Sequence, residues 1–169
     1  MNKLASLLTA LSLSTPCLSF ATDWTSVCSA GATIDETSLT LYQVNNASLG
    51  FRPSTTGGPG TGVVTARYNV TNTAVPSTPK PSWTTFELGY FDNSTSSAVV
   101  AILYQVRRCN GEVKPICRIA SVDAERAICE KCEFPETTFD FSTFLYYIQV
   151  NVSRSKPDVL PRANTLRIF

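Results

Sequence analysis

The chain has 169 residues, with 14 basic against 13 acidic side chains and a formal net charge of +1. With no basic tract and no acidic tail, nothing electrostatic points to nucleic acid or to an anionic membrane as a partner. There is no histidine, which removes the usual general base near neutral pH, every Ser-His or Cys-His nucleophile pair and the commonest zinc ligand.

Met1–Ala21 reads as a signal peptide. Lys3 supplies a basic start, Leu4 to Leu13 an apolar run, and Ser19-Phe20-Ala21 small residues at the −3 and −1 positions of a cleavage site. The run is shorter than the roughly 20 residues a bilayer span requires, and no later run is longer. Cys17 offers a rival reading as a lipidated cysteine, but Pro16 would then sit directly before the cleaved bond. The expectation is one exported domain over residues 22–169, secreted or periplasmic, with no transmembrane segment.

Beyond a polar lead-in from Asp23 to Ala32, Ser38 to Val44 reads as a strand with Leu39 and Leu41 on one face. Asn45-Asn46 can turn the chain, because Asn tolerates positive φ, and Ser48–Phe51 can return. Residues 53–62 are a Gly- and Pro-rich loop. Val63–Val70 alternates, with Val64, Ala66, Tyr68 and Val70 on one face. Pro76, Pro79 and Pro81 make residues 72–82 an extended connector between sheets. Trp83–Phe91 places Phe86, Leu88 and Tyr90 opposite Thr85, Glu87 and Gly89. Ala98–Arg108 is the longest expected strand, with Val100, Ile102, Tyr104 and Val106 inward. Asn110-Gly111 turns it back into Ile116–Val122. One short helix is expected near residues 123–130, with Asp123 as N-cap. Phe144 to Ser153 has the strictest period of two: Tyr146, Ile148, Val150 and Val152 on a dry face, Tyr147, Gln149, Asn151 and Ser153 on a wet one. Thr165–Phe169 closes the chain.

Eight or nine short strands separated by Gly, Pro and Asn turns predict an all-β fold, an antiparallel β-sandwich of jelly-roll-like topology. An immunoglobulin-like sandwich is the alternative, although the cysteine spacing is not its usual one.

Two segments, Trp83-Thr-Thr-Phe-Glu-Leu-Gly-Tyr-Phe-Asp and Phe139-Asp-Phe-Ser-Thr-Phe-Leu-Tyr-Tyr-Ile-Gln-Val, resemble stretches of small secreted bacterial β-sandwich proteins. The Tyr-Tyr-Ile-Gln-Val strand with a closing strand after it is similar to the end of many jelly-roll modules. The resemblance covers about a third of the chain. It implies a fold and an extracytoplasmic address, and brings no activity with it.

Beyond the leader the cysteines are Cys28, Cys109, Cys117, Cys129 and Cys132. An exported chain favours disulfides, and five leaves at least one thiol unpaired. Cys109 and Cys117 flank the expected hairpin turn and are the first choice of pair. For Cys129-Glu-Lys-Cys132, a local bridge or a bridge from either cysteine to Cys28 is expected. A zinc site of Cys109, Cys117, Cys129 and Cys132, or a redox dithiol, are weaker alternatives.

Four Asn-X-Ser/Thr sequons begin at Asn46, Asn69, Asn93 and Asn151, but so Ser/Thr-rich a chain yields some by chance, and Asn69 and Asn151 fall within strands. Trp24, Trp83, Tyr42, Tyr147 and Phe144 are candidates for stacking on sugar rings. The cleanest ligand-binding set is Tyr147, Gln149 and Asn151 on one strand face, against the plainer reading of a solvated face. Asp35, Glu36, Asp92 and Asp140 could contribute oxygens to a structural calcium, but no D-x-D-x-D loop is present and no cofactor is predicted. No catalytic constellation stands out. A carboxylate pair of glycosidase type is the weakest alternative. The reading is an exported, non-catalytic β-sandwich that binds an extracellular glycan. The alternative is a structural or protein-interaction component of the cell surface or envelope.

Overall fold

The computed structural model describes residues 23–30, 32–53, 60–72 and 80–169. The expected signal peptide, Cys17 and the centres of the expected 53–62 loop and 72–82 connector lie outside them. The strands are β1 (Trp24–Val27), β2 (Ala32–Ile34), β3 (Tyr42–Asn45), β4 (Ser48–Phe51), β5 (Gly62–Val70), β6 (Thr85–Phe91), β7 (Ser97–Arg107), β8 (Val113–Ala120), β9 (Ile128–Glu133), β10 (Phe144–Arg154) and β11 (Arg162–Ile168).

They form two antiparallel sheets. One runs β3-β4-β11-β6-β9, with β1 also pairing with β11; the other runs β2-β5-β10-β7-β8. β5 and β6 lie in different sheets, as expected of strands joined by a proline-rich connector. The strict alternation of residues 144–153 becomes the centre of the five-stranded sheet, where β10 pairs with β5 on one side and β7 on the other. Asn46 makes the expected turn at φ 43°, and Gly111 closes the β7–β8 turn at φ 70°, a region where glycine carries no Cβ penalty.

The core lies between the inner faces. Val64, Ala66, Tyr68, Val99, Ala101, Leu103, Ile148 and Val150 come from one sheet; Leu49, Phe86, Leu88, Tyr90, Leu166 and Ile168 come from the other. Trp83 is 1 % exposed and meets Phe139 edge-on at 5.0 Å, closing one end of the sandwich. There Tyr146 Oη donates to the Thr138 carbonyl at 2.9 Å and accepts from the Asp140 amide at 2.8 Å, fastening the 138–143 segment to β10. At the strand's other end, buried Arg154 donates to the carbonyls of Val159 (2.9 Å) and Arg52 (3.0 Å), with its guanidinium 4.4 Å from the Phe51 ring centroid. Asp92, 2 % exposed, accepts from Ser97 Oγ and Ser121 Oγ, both at 2.5 Å, and so ties the end of β6 to β7 and to the segment after β8.

Several expectations need correction. No helix forms at 123–130: the segment is irregular up to Ala127 and then becomes β9 on the edge of the six-stranded sheet. Leu39 and Leu41 precede β3 and do not share a strand; Leu39 follows a 3₁₀ turn at Glu36–Ser38 and is exposed. β7 is flipped relative to its expected orientation. Val99, Ala101 and Leu103 are inward and fully buried, so Val100, Ile102, Tyr104 and Val106 are on the outer face. A one-residue change of register exchanges the faces of a whole strand.

The Cys109–Cys117 pair is also overturned. Cys117 bridges to Cys132, with Cα atoms 6.1 Å apart, joining the edge strands β8 and β9 of the two sheets. The register gives the reason. The β7–β8 ladder ends at Val106–Val113, so Cys109 lies in the turn, whereas Cys117 stands opposite Leu103 on the inner face. Cys132 and Cys129 are three apart on one strand and point to opposite faces, which excludes a local bridge between them and a four-cysteine zinc site. Cys28 is a buried free thiol, and Cys109 and Cys129 are exposed free thiols.

Candidate binding face on the five-stranded sheet

The outer face of β10 carries Tyr147, Gln149 and Asn151, all half-buried. Strand pairing places each in a row. Tyr147 lies between Tyr104 on β7 and Asn69 on β5, Gln149 between Ile102 and Arg67, and Asn151 between Val100 and Thr65. The two tyrosine rings stack at 4.9 Å with an interplanar angle of 20°. Asn151 Oδ1 accepts from Thr65 Oγ1 at 3.0 Å and from Gln149 Nε2 at 3.4 Å. One end of each amide is thus held by the sheet, and the other end is available to a ligand.

The corrected register of β7 changes the character of this surface. Val100, Ile102 and Tyr104 extend it with apolar and aromatic area toward β8, while Arg67, Asn69 and Thr65 border it with polar groups on the β5 side. At the Tyr147 end the face continues to Val106, which pairs with both Val113 and Leu145; the latter two are each 50 % exposed. These outward residues of β7 were missed from the sequence.

The electrostatics are mild. Arg67 reaches Asp35 at 3.5 Å. Burial raises the Tyr147 phenol above its ordinary pKa, neighbouring Tyr104 adds to that, and Arg67 opposes it. Its hydroxyl is therefore a neutral donor and acceptor at physiological pH. A flat aromatic-apolar centre with neutral amides on one flank can take a planar or ring-shaped polar molecule by apolar contact plus directed hydrogen bonds.

The other candidates lie elsewhere. Trp83 is in the core, and Trp24, Tyr42 and Phe144 pack against it as partly buried side chains. Asp35 caps the 3₁₀ turn through the Thr37 amide. Asp140 accepts from Ser142 Oγ and pairs with Lys80 at 3.3 Å. Its hydrogen bond from Ser142 lowers its pKa. Asp92 is the buried node described above. Among the described residues no group of three or more Cys, Asp or Glu side chains is placed to hold a metal ion.

No protein-family model and no curated protein matches the sequence. Among solved structures, the chain is similar to the xylan-binding module CBM15 (TM-score 0.49, 13 % identity, 87 % of this chain and 95 % of that one). It is also similar to the family 11 carbohydrate-binding module of Clostridium thermocellum in complex with a β-1,3-1,4-mixed-linked tetrasaccharide (0.43, 8 %, 88 % and 87 %). A chain from the infectious bursal disease virus Gt strain matches as well (0.38, 11 %, 87 % and 31 %). The chain's own two antiparallel sheets, packed around one core, make it a β-sandwich.

Proposed function

We propose that this chain is an exported, non-catalytic protein that binds a neutral glycan across the outer face of its five-stranded sheet. The stacked Tyr104–Tyr147 pair beside the half-engaged amides of Gln149 and Asn151 carries the reading. Sugar rings offer apolar C–H faces to aromatic side chains and a rim of hydroxyls to amides, and this face has both within three rows of one strand. Export is supported by the leader-like start and by a structural disulfide, which an oxidising compartment allows.

A glycan array probed with the purified protein, with and without EDTA, tests it. Saturable binding to one neutral sugar class, lost in Tyr147→Ala and in Tyr104→Ala, is the expected result. Silence across the array, or binding that survives both substitutions, rejects this site.

A second reading, a protein-interaction or envelope component, is favoured by the exposed Val113 and Leu145 at one end of the same face and by exposed Cys109 in the adjoining turn. It predicts a dimer or a disulfide-linked species on size-exclusion chromatography and non-reducing gels. A monomer in both counts against self-association.

A further inference from the structure

A second groove, of about 380 Å³, opens on the outer side of the six-stranded sheet, over β3, β4 and β11. Its floor is set by Gly50. Pairing puts Gly50 between Gln43 on β3 and Arg162 on β11, so the row has a gap where a side chain would stand. A Cβ there would approach the Pro161 carbonyl to 3.0 Å and Arg162 Cβ to 3.3 Å. Polar groups surround the gap. Gln43 Nε2 donates to Asn45 Oδ1 at 2.8 Å, which fixes both amides, and Asn46, Ser48 and Asn164 add further polar groups to the lining. Asn164 lies where the β11–β6 register shifts.

Among the described residues, Arg162 is the only charged group in this lining. It is exposed, lies 4.8 Å from the Phe91 ring centroid, and takes part in no ion pair among the described residues. An arginine stacked on a ring keeps its donor fork in one plane, which suits a carboxylate bound by two parallel hydrogen bonds. Amides and a hydroxyl around it suit the hydroxyls of a sugar.

We propose that this groove binds a carboxylate-bearing sugar, a uronic acid unit, with Arg162 on the carboxylate and Gln43, Asn45 and Asn164 on the ring hydroxyls. The site shares no residue with the Tyr147 face, so it stands or falls separately from the neutral-glycan reading.

Isothermal titration of the purified protein with tetramers of galacturonate, glucuronate and mannuronate, beside the neutral tetramers of the same sugars, tests it. At least one oligouronate is expected to bind saturably, more weakly as salt rises. Arg162→Gln should weaken it by about tenfold or more, the range of charged hydrogen bonds, while Tyr147→Ala leaves it unchanged. Asn45→Ala, at an exposed hairpin position, should weaken it without altering the far-ultraviolet circular dichroism. No saturable binding of any oligouronate, unchanged affinity in Arg162→Gln, or loss in Tyr147→Ala would each overturn the assignment.

Discussion

Replacing both bridged cysteines, Cys117→Ala with Cys132→Ala, removes the one covalent link between the two sheets seen among the described residues. The cysteines are 15 apart in sequence, and the chain-entropy relation for a loop of that size gives about 3 kcal/mol at 25 °C. For a chain of this length each kcal/mol shifts the melting temperature by about 2–4 °C, so the double variant should melt roughly 6–12 °C lower. Both side chains contact the core, so truncation also removes some packing. Reducing the wild type without mutation isolates the cross-link: reductant should lower its melting temperature and leave the variant's unchanged. Thermal scans by circular dichroism, with and without reductant, give the four values needed. The reasoning is refuted if reductant shifts the wild type and the double variant equally, or if a non-reduced peptide map joins Cys109 to Cys117.

Asp92→Ala removes two charge-assisted hydrogen bonds and leaves the Ser121 hydroxyl without its acceptor, while Ser97 keeps the Ser94 carbonyl, so a loss of about 2–3 kcal/mol is expected in urea unfolding. Tyr104→Phe and Tyr147→Phe keep the ring stack and should stay within about 0.5 kcal/mol of wild type. Tyr147→Ala should cost roughly 0.5–1.5 kcal/mol from the aromatic pair beyond its lost buried area. Burial pushes the Cys28 thiol from 9.0 up to about 12. Between those values the unfolded chain ionises this thiol and the folded chain does not, so its contribution to stability is intact below pH 9.0 and is lost as pH rises toward about 12. In native protein at about pH 8, a thiol reagent should therefore label Cys109 and Cys129 and reach Cys28 only after unfolding, as mass spectrometry of the labelled peptides would record.

What could be read from the sequence tracks how many apolar residues share a parity. β10, β5 and β6 alternate apolar and polar residues, and their inward sets, Ile148 and Val150, Val64 and Ala66, Phe86 and Leu88, are those the alternation marks. In β7 the run Ala98-Val-Val-Ala-Ile-Leu-Tyr is apolar at both parities. Alternation then carries no information about which side is dry, and register with β10 decides it. The three outward residues that give the candidate face most of its apolar area were hidden for that reason, whereas Tyr147, Gln149 and Asn151 stood out against an apolar background. The short strands β1, β2 and β9 run for four, three and six residues, too few for a period to rise above chance. The disulfide depended on which strands form the edges of the two sheets, a property of topology that spacing along the chain does not encode. The groove at Gly50 is likewise set by which residues lie beside the glycine across strands.

The two edges that the disulfide joins have a consequence for how copies of this chain behave when crowded. An unpaired strand edge is a template for the next molecule. On β8 the template is broken by Pro115, which has no amide hydrogen to offer, by the register shift beside it, and by Lys114 and Arg118. On β9 it carries Glu130, Lys131 and Glu133, so a second copy would bring the same charges against it. Through these two edges a second copy would not readily add as a further strand to either sheet.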